Sequence, residues 1–98
     1  MKALTDAEMT ALLEREPLWV LAEGKLVREW KFKDFVAAMA FVNRVAEVAE
    51  EAGHHPDIDI RYNRVRLGLV THDAGGVTAR DAEMAERLTR EFEGPSSH

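Results

Sequence analysis

The sequence contains no cysteine and only three prolines among its 98 residues. The fold therefore has no disulfide, and thiolate chemistry is excluded. No apolar run approaches the ~20 residues that a transmembrane helix requires, and the N-terminus has no long apolar signal segment. From these absences we expect a cytoplasmic protein that does not bind or span a membrane.

The sequence also has fewer basic residues than acidic ones. Thirteen Lys and Arg residues face eighteen Asp and Glu residues, which gives a formal net charge of −5. Because nucleic-acid affinity comes largely from Lys and Arg that neutralise phosphates, we expect no nucleic-acid partner. Arg61, Arg64 and Arg66 form one short basic segment, which we interpret as a solvated hairpin tip.

The apolar residues suffice for one hydrophobic core. They make up 46% of the chain, and a chain of this length buries roughly two-thirds of its unfolded surface. We therefore predict a single domain over residues 1–98. Within it, residues 94–98 have the small, polar composition of a disordered tail.

Three segments have the apolar periodicity of amphipathic helices. The first opens with a capping box formed by Thr5 and Glu8 and ends at Pro17. The second covers residues 34–52 and has the widest apolar face of the three. The third opens at Thr78, whose side chain is predicted to cap its N-terminus.

Four segments alternate between apolar and polar residues, as half-buried strands do. Residues 18–22 and 25–32 are the first two, and a hairpin with its turn at Asn63 and Arg64 supplies the others. This register pairs Tyr62 with Val65, Ile60 with Leu67, and Ile58 with Leu69, so that all six lie on one face. The resulting order, α-β-β-α-β-β-α, predicts an α+β fold with an antiparallel sheet and helices on one face.

Three of the four histidines fall within 19 residues of one another. His54 and His55 follow the end of the second helix, which Gly53 and Pro56 mark. His72 lies beyond the second strand of the hairpin. Extending the predicted register places it opposite His55, with the Cβ atoms within ~5.5 Å.

Two carboxylates are predicted near the same rim. Glu50 lies one helical turn before His54, and Asp81 lies in the first turn of the last helix. Three interpretations remain open from the residues alone. The histidines could transfer protons, since imidazole titrates near neutrality; they could bind zinc with a carboxylate; or they could simply interact with the end of a helix.

This arrangement resembles the signature of the pterin-4a-carbinolamine dehydratases. The matching positions are Glu50, His54, His55, Pro56, Tyr62, His72 and Asp81. Residues 30–35, 62–65 and 71–76 resemble further segments of that family. The similarity extends from about Leu4 to Phe92, nearly the whole chain.

The resemblance implies a four-stranded antiparallel sheet with helices on one side, assembled as a homodimer or homotetramer. It also implies loss of water from a 4a-hydroxytetrahydropterin to give the quinonoid dihydropterin, a step in tetrahydrobiopterin recycling. No metal and no cofactor are expected. Animal relatives also serve as dimerisation cofactors of a transcription factor, so a protein-binding module is the alternative function.

Carried onto this chain, the resemblance makes all three histidines site residues. Our hypothesis is that His55 and His72 form the acid–base pair, in either order, and that His54 positions the pterin. The residues expected to contact the substrate are Trp19, Glu50, Thr71, Asp73 and Asp81. The carboxylates among them would accept hydrogen bonds from the N–H groups of the pterin edge.

Overall fold

The computed structural model describes residues 1–93, so the predicted disordered tail lies outside the described residues. Its elements are α1 (Asp6–Arg15), β1 (Val20–Ala22), β2 (Lys25–Lys31), α2 (Phe35–Ala52), β3 (Asp57–Arg61), β4 (Arg64–Leu69), a 3-10 turn (His72–Ala74) and α3 (Ala79–Glu93). This order confirms the predicted α-β-β-α-β-β-α arrangement. Among these helices, none combines the length and the apolar character needed to cross a membrane.

The helices begin where the capping residues of the sequence place them. The Thr5 hydroxyl accepts a hydrogen bond from the Glu8 amide, and the Thr5 amide donates to the Glu8 carboxylate, which completes the predicted capping box. Asp34 caps α2 by accepting from the amide of Ala37. These side chains satisfy amide groups that have no partner within the helix.

The last residue of α2 is followed by Gly53, whose backbone is left-handed with φ of 64°. A Cβ atom built there would have no heavy atom within 4 Å, so steric contact does not exclude a side chain. We expect Gly53→Ala to lower the free energy of unfolding by about 1 kcal/mol, because an L-residue pays a conformational cost at positive φ. Urea unfolding measures this change. Gly53→Asn is the matched control and should cost less, because asparagine tolerates this conformation; equal stability of all three proteins would contradict the explanation.

The four strands form one antiparallel sheet in the order β1-β2-β4-β3. The helices cover one face of the sheet, as predicted, and meet the inward side chains of β2 and β4. The fully buried part of this core includes Leu12, Leu26, Ala38, Val45, Val48, Val65, Leu67, Leu69, Ala85 and Leu88. The core fixes the C-terminal end of α2, the end of β4 and the start of α3 relative to one another.

The predicted hairpin register is wrong by two residues. Arg61 pairs with Arg64, and Ile60 pairs with Val65, so the turn lies at Tyr62 and Asn63. The Asn63 side chain donates to the carbonyl of Phe32, whose amide donates back to the Asn63 carbonyl, and these bonds tie the turn to the end of β2. A shift of two residues keeps every side chain on its predicted face, but it removes the predicted cross-strand position of His72.

The first predicted strand also begins too early. Residues 18–22 were expected to be extended, whereas β1 starts at Val20. The amide of Trp19 donates to the carbonyl of Glu16, which continues the turn at the end of α1 as far as Trp19.

Candidate active site

The three histidines line one open cleft of about 260 Å³. The cleft lies where the chain leaving α2 meets the chain leaving β4 and the first turn of α3. Its polar lining comes from His54, His55, Thr71, His72, Asp73 and Arg80. The structure thus brings together residues that are distant in sequence.

The buried carboxylate of Asp81 contacts His54 on the side of the ring that faces the protein interior. Nε2 of His54 lies 2.5 Å from Oδ1 of Asp81, and the two side chains are 11% and 0% exposed. A carboxylate can only accept a hydrogen bond, so Nε2 carries the proton. This contact fixes the tautomer and the orientation of the ring, and leaves Nδ1 as the nitrogen available to a ligand.

The other oxygen of Asp81 is fully engaged in the protein. Oδ2 accepts from the amide of Thr78 at 2.8 Å and from the hydroxyl of Thr71 at 2.9 Å. The Thr78 hydroxyl in turn accepts from the amide of Arg80, which confirms the predicted cap of α3. Asp81 therefore lies behind His54 and does not line the cleft, although we expected it to contact the substrate.

His55 occupies the open side of the cleft. Its Nε2 lies 2.5 Å from Oε2 of Glu50, and both side chains are mostly exposed. Glu50 belongs to the last turn of α2, so the helix positions the carboxylate and the following loop positions the imidazole. The pair is accessible to water, unlike the contact between His54 and Asp81.

His72 reaches the cleft by a route other than the one predicted. The ladder of β3 and β4 ends at Asp57 and Gly68, so His72 does not face His55 across paired strands. Instead it opens a 3-10 turn that is closed by the isolated bridge between Thr71 and Gly76. The same turn places Asp73 on the wall of the cleft.

The structure does not bring Trp19 to this cleft. Trp19 is 1% exposed in the core, where its Nε1 donates to the hydroxyl of Thr89 and its ring forms a T-shaped contact with that of Trp30. Thr89 donates to the carboxylate of Glu16. Arg28 lies over the ring of Trp30 nearby, and burial lowers the pKa of its guanidinium. These side chains form a group of polar contacts inside the core, away from the cleft.

Sequence reasoning missed Arg80. Its guanidinium donates to the carbonyl of Gly53 at 2.7 Å and so links the end of α2 to the start of α3. It also places a positive charge on the wall of the cleft. The sequence did offer a signal for this position. Arg80 directly precedes Asp81 in the first turn of α3, the helix expected near the histidines.

The cleft offers three imidazoles and the carboxylate of Asp73 to a ligand, with the Glu50 carboxylate beside His55 at its rim. Imidazoles can donate or accept protons near neutral pH, so the arrangement supports proton transfer at two points of a bound molecule. Within residues 1–93, no group of three or more His, Asp or Glu side chains is arranged to hold a metal ion.

Two solved structures share this fold. A protein from Brucella melitensis, described as a transcriptional coactivator/pterin dehydratase, is 38% identical and superposes with a TM-score of 0.83 over 90% of this chain and 96% of its own. A pterin dehydratase-like protein described as a RuBisCO assembly factor of the alpha-carboxysome gives a TM-score of 0.59 over 71% of this chain and 83% of its own. At 23% identity, this second match supports the fold alone.

Sequence comparison gives a consistent assignment. Relatives from Acidobacterium capsulatum and Thermomicrobium roseum, each named "Putative pterin-4-alpha-carbinolamine dehydratase", are 61% and 58% identical over 88 residues. These matches cover 90% of this chain and at least 95% of each relative. The family model for pterin 4 alpha carbinolamine dehydratase matches residues 2–91. The chain therefore belongs to the pterin 4 alpha carbinolamine dehydratase family.

Proposed function

We propose that the protein dehydrates a 4a-hydroxytetrahydropterin to the quinonoid dihydropterin by acid–base catalysis. A protonated imidazole gives its proton to the hydroxyl on C4a, which leaves as water. A neutral imidazole takes the proton from N5, and the electron pair of that bond forms the C4a–N5 double bond. One water is lost, and no oxidant or reductant is required.

The convergence of three imidazoles on one cleft is the observation that carries this proposal. His55 and His72 are exposed on its wall, so they can reach a ligand and exchange protons with water. We assign them as the acid–base pair. His54, which the buried carboxylate of Asp81 holds in place, is suited to orient the pterin.

Hydrogen-bond acceptors on the cleft suit the rest of the pterin ring. The amide edge of a pterin presents N–H donors, and carboxylates accept such bonds strongly. Asp73 lines the cleft, and Glu50 contacts His55 at its rim. We propose that these two carboxylates bind the pterin. Thr71, whose hydroxyl donates to Asp81, and Asp81 itself then act through His54, and Trp19 acts only through the core.

We further propose that the protein works in the cytoplasm, in tetrahydrobiopterin recycling, as a homo-oligomer. Both edges of the sheet support self-association. Val20 and Leu21 are about half exposed on the β1 edge, and Ile58 and Ile60 are more than one-third exposed on the β3 edge. Exposed apolar edge strands readily pair with another chain.

A protein-binding role is the second candidate. The Brucella melitensis protein is described as a transcriptional coactivator as well as a pterin dehydratase. The exposed sheet edges that suit a homo-oligomer also suit a partner protein. The histidine cleft has no part in such a role, so the two functions are separable by experiment.

An assay of dehydration tests the proposal. We expect the protein to accelerate the loss of 4a-hydroxytetrahydropterin, followed by absorbance, well above the rate in buffer. The control variant Arg61→Gln, on the polar face of the sheet, should keep full activity. A purified, folded protein that leaves the rate in buffer unchanged would contradict the proposal and favour the protein-binding role.

A further inference from the structure

A second cleft, of about 320 Å³, adjoins the histidine cleft. His54 and Arg80 line both clefts, so the two clefts lie directly beside each other. The rest of the second cleft is formed by the end of α2 and by one face of α3. The catalytic proposal uses nothing in it beyond these two shared residues.

The second cleft is lined by three arginines of α3. Arg80, Arg87 and Arg90 are spaced so that they lie on one face of the helix, and Glu83 is the only carboxylate that lines the cleft with them among the described residues. At about 1.5 Å of rise per residue, the row of arginines from Arg80 to Arg90 extends roughly 15 Å along the helix axis. In a chain with a formal net charge of −5, this is a local concentration of positive charge beside the proposed site.

Among the side chains of residues 1–92, only one of these three arginines is paired with a carboxylate. Arg87 donates to Glu51 of α2, which lowers the pKa of that carboxyl group. Arg80 donates to a backbone carbonyl, and Arg90 forms no ion pair with any carboxylate of residues 1–92. Within residues 1–92, two of the three guanidiniums therefore have no carboxylate partner.

We propose that this arginine cleft binds an anionic group on the side chain of the pterin whose ring occupies the histidine cleft. The proposal rests on the proposed function. Guanidinium groups recognise phosphate and carboxylate through paired hydrogen bonds. The pterin ring is neutral and has no negative charge with which three arginines could pair. The length of the row suits an extended chain of charged groups, such as an oligophosphate or a glutamate tail.

Equilibrium binding tests the anion site independently of turnover. The probes are dihydroneopterin and its triphosphate, which share one ring and carbon chain, with dihydrofolate as the carboxylate arm, all followed by fluorescence. We expect an anionic probe to bind about 10-fold or more tightly than dihydroneopterin at low salt, and we expect added KCl to reduce this advantage. Preference for the triphosphate or for dihydrofolate distinguishes a phosphate from a carboxylate ligand.

Variants locate the effect on α3. Arg90→Gln should lower the affinity ratio of anionic to neutral probe several-fold, whereas the control Arg61→Gln, remote from the cleft, should keep it. Equal affinity for neutral and anionic pterins, a ratio unchanged in Arg90→Gln, or binding of no pterin at all would overturn the anion site. A retained preference without dehydration would refute the catalytic proposal alone.

Discussion

Replacing His72 with alanine is expected to lower kcat/KM for dehydration by about 10²–10⁴-fold, the usual contribution of a general acid or base. His72 is exposed on the cleft and belongs to a short turn outside the core. Its removal should therefore change the free energy of unfolding by no more than about 0.5 kcal/mol. Steady-state kinetics and urea unfolding measure the two quantities on the same preparation.

The combination of a large kinetic effect and a small stability effect is what identifies a catalytic group. Arg64→Gln is a suitable control, because Arg64 is also exposed at the end of an element but lies beside Arg61 at the hairpin tip. It should alter neither quantity. A His72→Ala protein with wild-type kcat/KM would exclude His72 from the acid–base pair.

Replacing Asp81 with asparagine is expected to have the second large effect, because it changes a buried acceptor into a donor. Asp81 accepts from His54 through one oxygen and from Thr78 and Thr71 through the other. An asparagine side chain cannot accept at both places. We expect a loss of about 1–2 kcal/mol in the free energy of unfolding, because neutral hydrogen bonds replace those that the buried carboxylate accepts.

The same substitution should move the proton of His54. If the amide oxygen keeps its bond to the Thr78 amide, the NH₂ group faces the ring, and Nε2 must then become an acceptor while Nδ1 carries the proton. Nitrogen NMR of the imidazole distinguishes the two tautomers. We expect a change of tautomer together with a fall in kcat/KM of about 10²-fold.

The exposed pair on the other side of the cleft provides the matched comparison. Glu50→Gln removes the carboxylate that contacts His55, but both groups are mostly in water. Exposed pairs contribute at most about 1 kcal/mol, so this variant should remain nearly as stable as wild type. An Asp81→Asn protein that matched Glu50→Gln in stability and kept the wild-type tautomer of His54 would contradict the role given to Asp81.

The helices could be predicted because their signals are local. Thr5 with Glu8, and Thr78 with Asp81, each act within one turn of chain, and their hydrogen bonds form as expected. The hairpin turn was misplaced because alternation is unchanged by a shift of two residues. The observed turn is tied to the end of β2 by the contact of Asn63 with Phe32, and such a contact between distant residues has no periodicity in the sequence.

The candidate site was predictable in part for the same reason. Histidines near the ends of two elements predicted a shared rim, and the structure places all three on one cleft. The expected contacts of Trp19 and Asp81 depend on which way each side chain points, and packing turns both toward the interior. Arg80 was missed because its role depends on how α2 and α3 pack, and the sequence does not specify that packing locally.

A double-mutant cycle on His55 and His72 tests the central claim most directly, since the claim is that two imidazoles act together on one bound pterin. We expect each alanine variant to lose about 10²–10⁴-fold in kcat/KM. Because residues that act as a unit are strongly non-additive, the double variant should lose little more than the worse single variant. Losses that multiply, or a double variant that dehydrates 4a-hydroxytetrahydropterin at the wild-type rate, would contradict the mechanism.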